Sequence, residues 1–396
     1  MPGILDGIRV LDFGRFVSCP YSGMLLADLG AEVIKIERVG IGEDGRRLGP
    51  FKDGVSMYVP SFNRNKKGIC INFRTDEGKE VFAKLVEKSD VILENFRPGT
   101  MAKMGFDYET CKKINPRIIM ASISGFGQDG DYSDKPAFDG IATAMSGMMA
   151  ANFHADKPNP FGTPVADHVA GIYNAFQVVL ALYDREHTGE GQRIDTAMMD
   201  CILPMLETHI PDYGMNGVNT MVKLKTGTGD PLTCPSNVYK TKDGFVNMHA
   251  GTDPNYVKFA AVTKDPILTM EKYKKIEARM ADYELIDGTT AKWFLTVTCD
   301  EAESMLREAG VPIGIVNDMK RLFDSPHTWE RGQIVNIEVP GIGPVPFGSN
   351  PIRMQTRPIE KYERAPMVGE HTEEILTGLL GMTSEEVAHL KEIGVV

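Results

Sequence analysis

Apolar and polar positions along the first half of the chain fall into a repeating order of strand, helix, strand. Ile8-Arg9-Val10-Leu11-Asp12-Phe13 reads as a strand, and residues 20–30 as a helix with proline near its start and glycine at its close. Residues 31–38 and 68–73 read as further strands, 75–89 as a helix, and 90–96 as a fourth strand. Another helix leads to a strand over 117–123. This alternation predicts an α/β layer built on a mostly parallel sheet. Ligands of such sheets bind beyond the carboxyl ends of the strands, which directs attention to residues 13–20, 37–47, 94–99 and the stretch from Ser124 onward.

The longest apolar helix is expected at 169–183, where Asn174 and Gln177 are the only strongly polar residues, so it reads as buried nearly all round. It is preceded by Gly162-Thr163-Pro164-Val165-Ala166-Asp167-His168. Asp167 therefore falls in the first turn, where backbone N–H groups and the helix dipole favour an oriented, ionised carboxylate. Two readings stand side by side: a helix cap, a favoured role for aspartate there, or a nucleophile or base. Beyond it come a strand at 192–197, a helix from Met198 to about Tyr213, and a weakly periodic stretch at 214–231. A hairpin is expected at 237–248 with Asp243-Gly244 as its turn, then several helices between 254 and 323. A Pro/Gly-rich segment at 340–351 and two terminal helices at 372–380 and 384–393 complete the chain. The pattern divides into a large α/β domain (1–215, completed by 326–396), a linker or active-site loop (216–229) and a smaller α+β domain (230–325).

Composition narrows the function. The chain has 396 residues, 42% hydrophobic and 24% charged, with a formal net charge of −11. That excess of acid argues against a general nucleic-acid or membrane-surface role, so an anionic ligand needs a local basic cluster. Such a set exists in the first half: Arg38, Arg46, Arg47, Arg64, Lys66, Lys67, Arg97 and Lys103. The alternative is a solvated surface with ordinary ion pairs. The six cysteines are scattered with no C-x-x-C pair, which suits free thiols in a reducing compartment rather than a disulfide framework or a zinc site. The eight histidines show no metal-ligand spacing. The first residues lack the basic and apolar regions of a signal peptide, and there is no uninterrupted run of eighteen apolar residues, so a cytoplasmic location is expected. Gly125-Phe126-Gly127-Gln128-Asp129-Gly130 matches G-x-G-x-x-G after a strand. It is followed by a polar loop with Pro136 rather than a helix, so these glycines are expected to serve a turn and a dehydrogenase is disfavoured.

Taken together, several blocks resemble one family, the class III CoA-transferases (CaiB/BaiF family). They are residues 5–12, 26–38, Asn63-Arg64-Asn65-Lys66-Lys67, Glu94-Asn95-Phe96-Arg97-Pro98-Gly99, residues 122–127, 167–171, Thr188-Gly189-Glu190-Gly191-Gln192 and Val368-Gly369-Glu370-His371-Thr372. The resemblance implies a Rossmann-like large domain, an interlocked homodimer, and coenzyme A or acyl-CoA as substrate with no permanently bound cofactor. It implies a covalent mechanism in which Asp167 is the nucleophile. It places Val17, Ser18, Arg38, Ile71, Asn72, Asn95, Phe96, Lys103 and Met104 around the nucleotide and pantetheine. Phe138 then falls near the active site, and Gly227 and Gly229 in a loop that shields the intermediates. Lys103 stands where arginine is common, and Thr226-Gly227-Thr228-Gly229-Asp230 is less glycine-rich than in formyl-CoA transferases. The chief rival is an α-methylacyl-CoA racemase on the same fold. Racemases carry a His-Asp pair where this chain has Phe138-Asp139, and the His168 side chain lies about 100° around the helix from Asp167. A CoA-binding protein without catalysis is the other rival, disfavoured by the intact Asp167.

Overall fold

The structure is a computed structural model describing residues 3–154, 157–218 and 228–396. It contains two compact units. One comprises residues 1–149, 160–206 and 329–396; the other comprises 150–159 and 207–328. Residues 150–159 and 207–215 thus group with the second unit, whereas the sequence pattern puts them in the first.

In the first unit, the six strands are β1 (Arg9–Asp12), β2 (Glu32–Glu37), β3 (Lys66–Cys70), β4 (Val91–Glu94), β5 (Ile119–Ser124) and β6 (Arg193–Ala197). They form one parallel sheet in the order β3-β2-β1-β4-β5-β6. The order reverses between β1 and β4, and a crevice at such a switch point is where ligands of doubly wound sheets bind. Strands β4 and β5 are buried along their whole length, as a sheet covered on both faces requires. One face packs on α1 (Ser18–Asp28) and on a long helix at Val165–Thr188; the other packs on α2 (Asp76–Glu87) and on the terminal segments carrying Leu376 and Leu390. A β-carbon at Gly171 would meet the Ser18 carbonyl at 2.7 Å, so glycine there lets the long helix approach the start of α1.

With α3 at Asp139–Met145, the long helix is α4, and its burial differs from expectation. Asn174 faces inward, accepting from Ser22 Oγ at 2.9 Å and donating to Thr196 Oγ1 at 3.0 Å. Gln177 accepts from the same Thr196 hydroxyl at 2.6 Å. The apolar residues Ile172, Tyr173, Phe176, Leu180 and Tyr183 are instead 43–68% exposed. Hydrophobicity alone does not separate a core face from an exposed one. By length and composition α4 is also apolar enough to cross a membrane, a test that core helices of soluble proteins also pass.

Three further elements depart from the sequence pattern. Strand β3 starts at Lys66, so two lysines expected on a loop belong to the sheet, and Lys66 is buried there. The helix expected from Met198 breaks after Ile202 into a tight turn at Leu203–Leu206, where Pro204 removes a helical donor, and resumes at His209–Asn216. The Pro/Gly-rich segment takes part in a hairpin, Ile334–Val339 with Gly343–Gly348. As expected, residues 125–138 form turns rather than opening a helix; Gly127 and Gly130 have φ of +97° and +83°.

The second unit carries the expected hairpin, β7 (Ser236–Lys240) with β8 (Phe245–His249). A short third strand, β9 (Ile313–Ile315), is added on β8. Tyr239, Tyr256, Phe259 and Phe294 lie in its core.

Candidate active site

Asp167 occupies the third position of α4, and its side chain does not cap the helix. The cap comes from elsewhere: the Asp167 backbone N–H donates to Asp139 Oδ1 at 3.1 Å. Asp139 opens α3, so two helix starts meet there and the cap reading of Asp167 gives way. Burial pushes the Asp167 carboxyl up to about 6, and the Asp139 carboxylate adds to the rise. The Ser18 hydroxyl and N–H, and His168, pull the other way. The helix start alone therefore does not keep this group at an ordinary carboxylate pKa; desolvation outweighs it.

His168 is a packing residue here. Its Nδ1 donates to the Pro164 carbonyl at 2.7 Å, and its ring lies edge-on to Tyr21 and Phe62. Among the described residues, no group of three or more His, Cys, Asp or Glu side chains is placed to hold a metal ion.

Two cavities lie beyond the carboxyl ends of the strands. The smaller, about 210 Å³, contains Asp167, Ser18, Asn95, Phe96 and Phe138 of the expected residues, together with Arg15, Arg97 and Lys135. The larger, about 450 Å³, contains Arg38, Ile71, Asn72, Phe96 and Met104, again with Arg15. Arg15 and Phe96 line both, so the cavities adjoin at the β1–β4 switch point. Phe138 is 69% exposed with its ring 5.8 Å from that of Phe16. Val17 is buried and lines neither cavity. Lys103 is exposed and lines neither, although Met104 beside it does. Gly229 belongs to the second unit, and Gly227 lies outside the described residues.

The loop between β1 and α1 separates the cavities and is held from both sides. Asn95 accepts from the Arg15 N–H at 2.9 Å and donates to the Arg15 carbonyl at 2.8 Å and to Ser18 Oγ at 3.3 Å. Phe16 has a φ of 63°, a left-handed conformation costing about 1–3 kcal/mol for such a residue. Its N–H is fixed by Glu43 Oε2 at 3.0 Å. Asn95 thus positions both this loop and the Ser18 hydroxyl at the start of α1.

Much of the basic set is spent on structure. Arg64 pairs with Asp28 at 2.7 Å, Lys66 with Asp12 at 2.7 Å and Arg46 with Glu37 at 2.6 Å; Lys67 reaches Glu32 and Glu374 at 3.0 and 2.8 Å. Arg38 and Arg97 face the cavities, and Arg47 is exposed. Sequence reasoning missed Arg15, Glu43 and Asp139. Arg15 and Glu43 lie in loops already marked by their place after strands; Asp139 is named only as part of the Phe138-Asp139 pair, because its contact with Asp167 spans 28 positions.

The chain is similar to known proteins over nearly its whole length. A family model described as CoA-transferase family III matches residues 5–372. The chain is 35% identical over 395 residues to the succinyl-CoA–D-citramalate CoA-transferase of Chloroflexus aurantiacus, covering 98% of this chain and 97% of that protein. It is 34% identical over 393 residues to the alpha subunit of the succinyl-CoA–L-malate CoA-transferase of the same organism, covering 98% and 91%. Among solved structures, a CaiB/BaiF family protein from Brucella suis superposes with a TM-score of 0.86 at 30% identity, over 96% of this chain and 100% of that one. The chain belongs to CoA-transferase family III, and it is an enzyme of the CoA-transferase type.

Proposed function

We propose that the protein moves CoA from an acyl-CoA donor to a free carboxylic acid through covalent intermediates on Asp167. The observation carrying this reading is a half-buried carboxyl, at about 6, facing Ser18 in a cavity that adjoins a nucleotide-sized groove. The Asp167 oxygen attacks the thioester carbonyl carbon, the C–S bond breaks, and CoA leaves as thiolate from a mixed anhydride. The thiolate then attacks Asp167 Cγ, releasing the donor acid as carboxylate and forming an aspartyl-CoA thioester. The acceptor carboxylate attacks the same Cγ and expels thiolate, which attacks the acceptor acyl carbon and restores the Asp167 carboxylate. Each step exchanges one leaving group for one nucleophile, as covalent catalysis requires. A desolvated carboxylate is the stronger nucleophile for being poorly stabilised in its resting state. Arg38, Ile71, Asn72, Phe96 and Met104 are proposed to hold the CoA moiety, and Ser18 and Asn95 to orient Asp167.

Both named relatives take succinyl-CoA and a hydroxylated diacid. Arg97 and Lys135 line the Asp167 cavity without an ion pair among the described residues, which supports substrates with a second carboxylate. The racemase reading lacks its base, position 138 being phenylalanine and the His168 ring packed between Tyr21 and Phe62. The exposed apolar stripe of α4, on a helix whose mid-section amides Asn174 and Gln177 turn inward, supports a dimer.

The test is mass spectrometry after incubation with a panel of acyl-CoAs and hydroxylamine. A hydroxamate on the Asp167 peptide is expected. No adduct, with solvent deuterium entering C2 of the acyl group, would establish the racemase instead.

A further inference from the structure

Three arginines line the larger groove: Arg15 from the loop after β1, Arg38 just past β2 and the exposed Arg74 beyond β3. One carboxylate spans the first two. Asp44 Oδ2 accepts from Arg15 Nη1 at 3.0 Å and Asp44 Oδ1 from Arg38 Nη2 at 2.6 Å. Each of its oxygens therefore serves one arginine, which is how a phosphate bridges a pair of guanidinium groups. The three side chains are 39%, 53% and 35% exposed, and ion pairs at that exposure are weak because water solvates each partner. The contact is exchangeable. Arg15 also keeps a buried Nε with no hydrogen-bond partner while its guanidinium lies 5.3 Å over the Phe96 ring, so its donor capacity is not filled by Asp44. Asp44 reaches the two arginines from beside the groove; the carboxylates that line it are neutralised, Glu37 by Arg46 at 2.6 Å and Glu43 by Lys35 at 3.9 Å.

We propose that Asp44 is a built-in stand-in for a ligand phosphate, holding Arg15 and Arg38 together until a ligand binds and yielding them to the phosphoanhydride of an entering thioester. The inference rests on reading this groove as the seat of the CoA moiety. Asp44 keeps two like charges from driving each other apart before the ligand arrives, and it sets a threshold that only a more highly charged anion overcomes. Arg15 becomes a phosphate-binding residue alongside Arg38, placed where the nucleotide groove meets the Asp167 cavity.

The test is isothermal titration of the full-length protein with free CoA and, separately, with pantetheine, which lacks the phosphates. Asp44→Asn removes the competing charge and should tighten CoA binding on the order of tenfold, with pantetheine unchanged. Arg15→Gln should weaken CoA binding by a similar factor and again spare pantetheine. Asp44 and Arg15 are both solvent-accessible, and Asp44→Ala provides a second variant without a side-chain amide. Should wild-type protein bind CoA while Asp44→Asn and Asp44→Ala bind it no more tightly, the stand-in role is overturned and the reading of the groove survives. Failure of the wild-type protein to bind CoA would overturn that reading and the inference with it.

Discussion

Asp12, fully buried, and Asp167, half-buried, are two carboxyls beside the same helix α1, and their surroundings set them on opposite sides of the ordinary carboxylate pKa. Asp12, at the end of β1, is fully enclosed. Lys66 Nζ lies 2.7 Å from its Oδ2, and the Gly14 N–H and Cys19 Sγ approach its Oδ1 at 2.6 and 3.7 Å. Burial alone would raise its pKa, but Lys66 and Lys35 outweigh burial and hold it below the usual carboxylate range. Asp167 has the Ser18 hydroxyl and N–H and only His168 nearby in place of a paired lysine, with a second carboxylate adding to the rise, and burial wins. A buried carboxyl paired to ammonium is committed to the fold. One left with neutral donors is poised for chemistry.

The largest effects should come from treating the two residues alike. Asp12→Asn leaves the Lys66 ammonium buried without its counter-charge, which typically costs about 3–5 kcal/mol. Asp167→Asn should leave the fold intact and reduce adduct formation and turnover by at least about 10³-fold, as loss of a nucleophile does. Thermal melting and hydroxylamine trapping on both variants read the two outcomes. Full turnover in Asp167→Asn, or an unchanged melting temperature in Asp12→Asn, would reverse the comparison.

A second test uses the opposite pH dependence of the two groups. The folded-state pKa of Asp167, about 6 against an ordinary 3.8, means that the folded protein binds this proton more tightly than the unfolded chain does. Its contribution to stability is full below about pH 4 and is lost as pH rises through 6. The gap corresponds to about 3 kcal/mol at most, so Asp167→Asn should be more stable than wild type at pH 8 and nearly equal to it at pH 4. Asp12 has the other sign: its contribution is present above the usual carboxylate pKa and is lost as acid protonates it. Adduct formation should also fall as pH drops below about 6, where Asp167 loses the charge that its proposed role as nucleophile requires. Melting curves of wild type and Asp167→Asn across this range settle the sign.

The pattern of elements was legible because the parallel sheet is made of short, continuous apolar runs, and these survive small errors of boundary. What the sequence did not carry was partnership. Lys66 and Arg64 looked like loop cations, because residue type says nothing of Asp12 and Asp28 waiting 54 and 36 positions away. The outer stripe of α4 looked like core, because Phe176 and Leu180 are as apolar on an exposed face as against a sheet. Asp167 was legible only as a first-turn acid with two readings, and resemblance to a family chose between them. Arg15 and Asp44 were invisible as a pair, being 29 positions apart and brought together by the sheet.

The smallest effect separates the two things Asp139 does for Asp167. It supplies a hydrogen-bond acceptor to the Asp167 N–H, fixing the first turn of α4, and it supplies a negative charge that raises the Asp167 pKa. Asp139→Asn keeps a carbonyl oxygen in the acceptor position and removes the charge. The acid limb of the rate of adduct formation should then move to lower pH by less than about one unit, with the plateau rate nearly retained. Asp139→Ala removes both, leaving a helix-start N–H without its partner at a cost of about 1–3 kcal/mol, so the plateau itself should fall. If the acid limb stays in place in Asp139→Asn, burial alone sets the Asp167 pKa. The contrast with Asp12 then reduces to the presence or absence of a lysine.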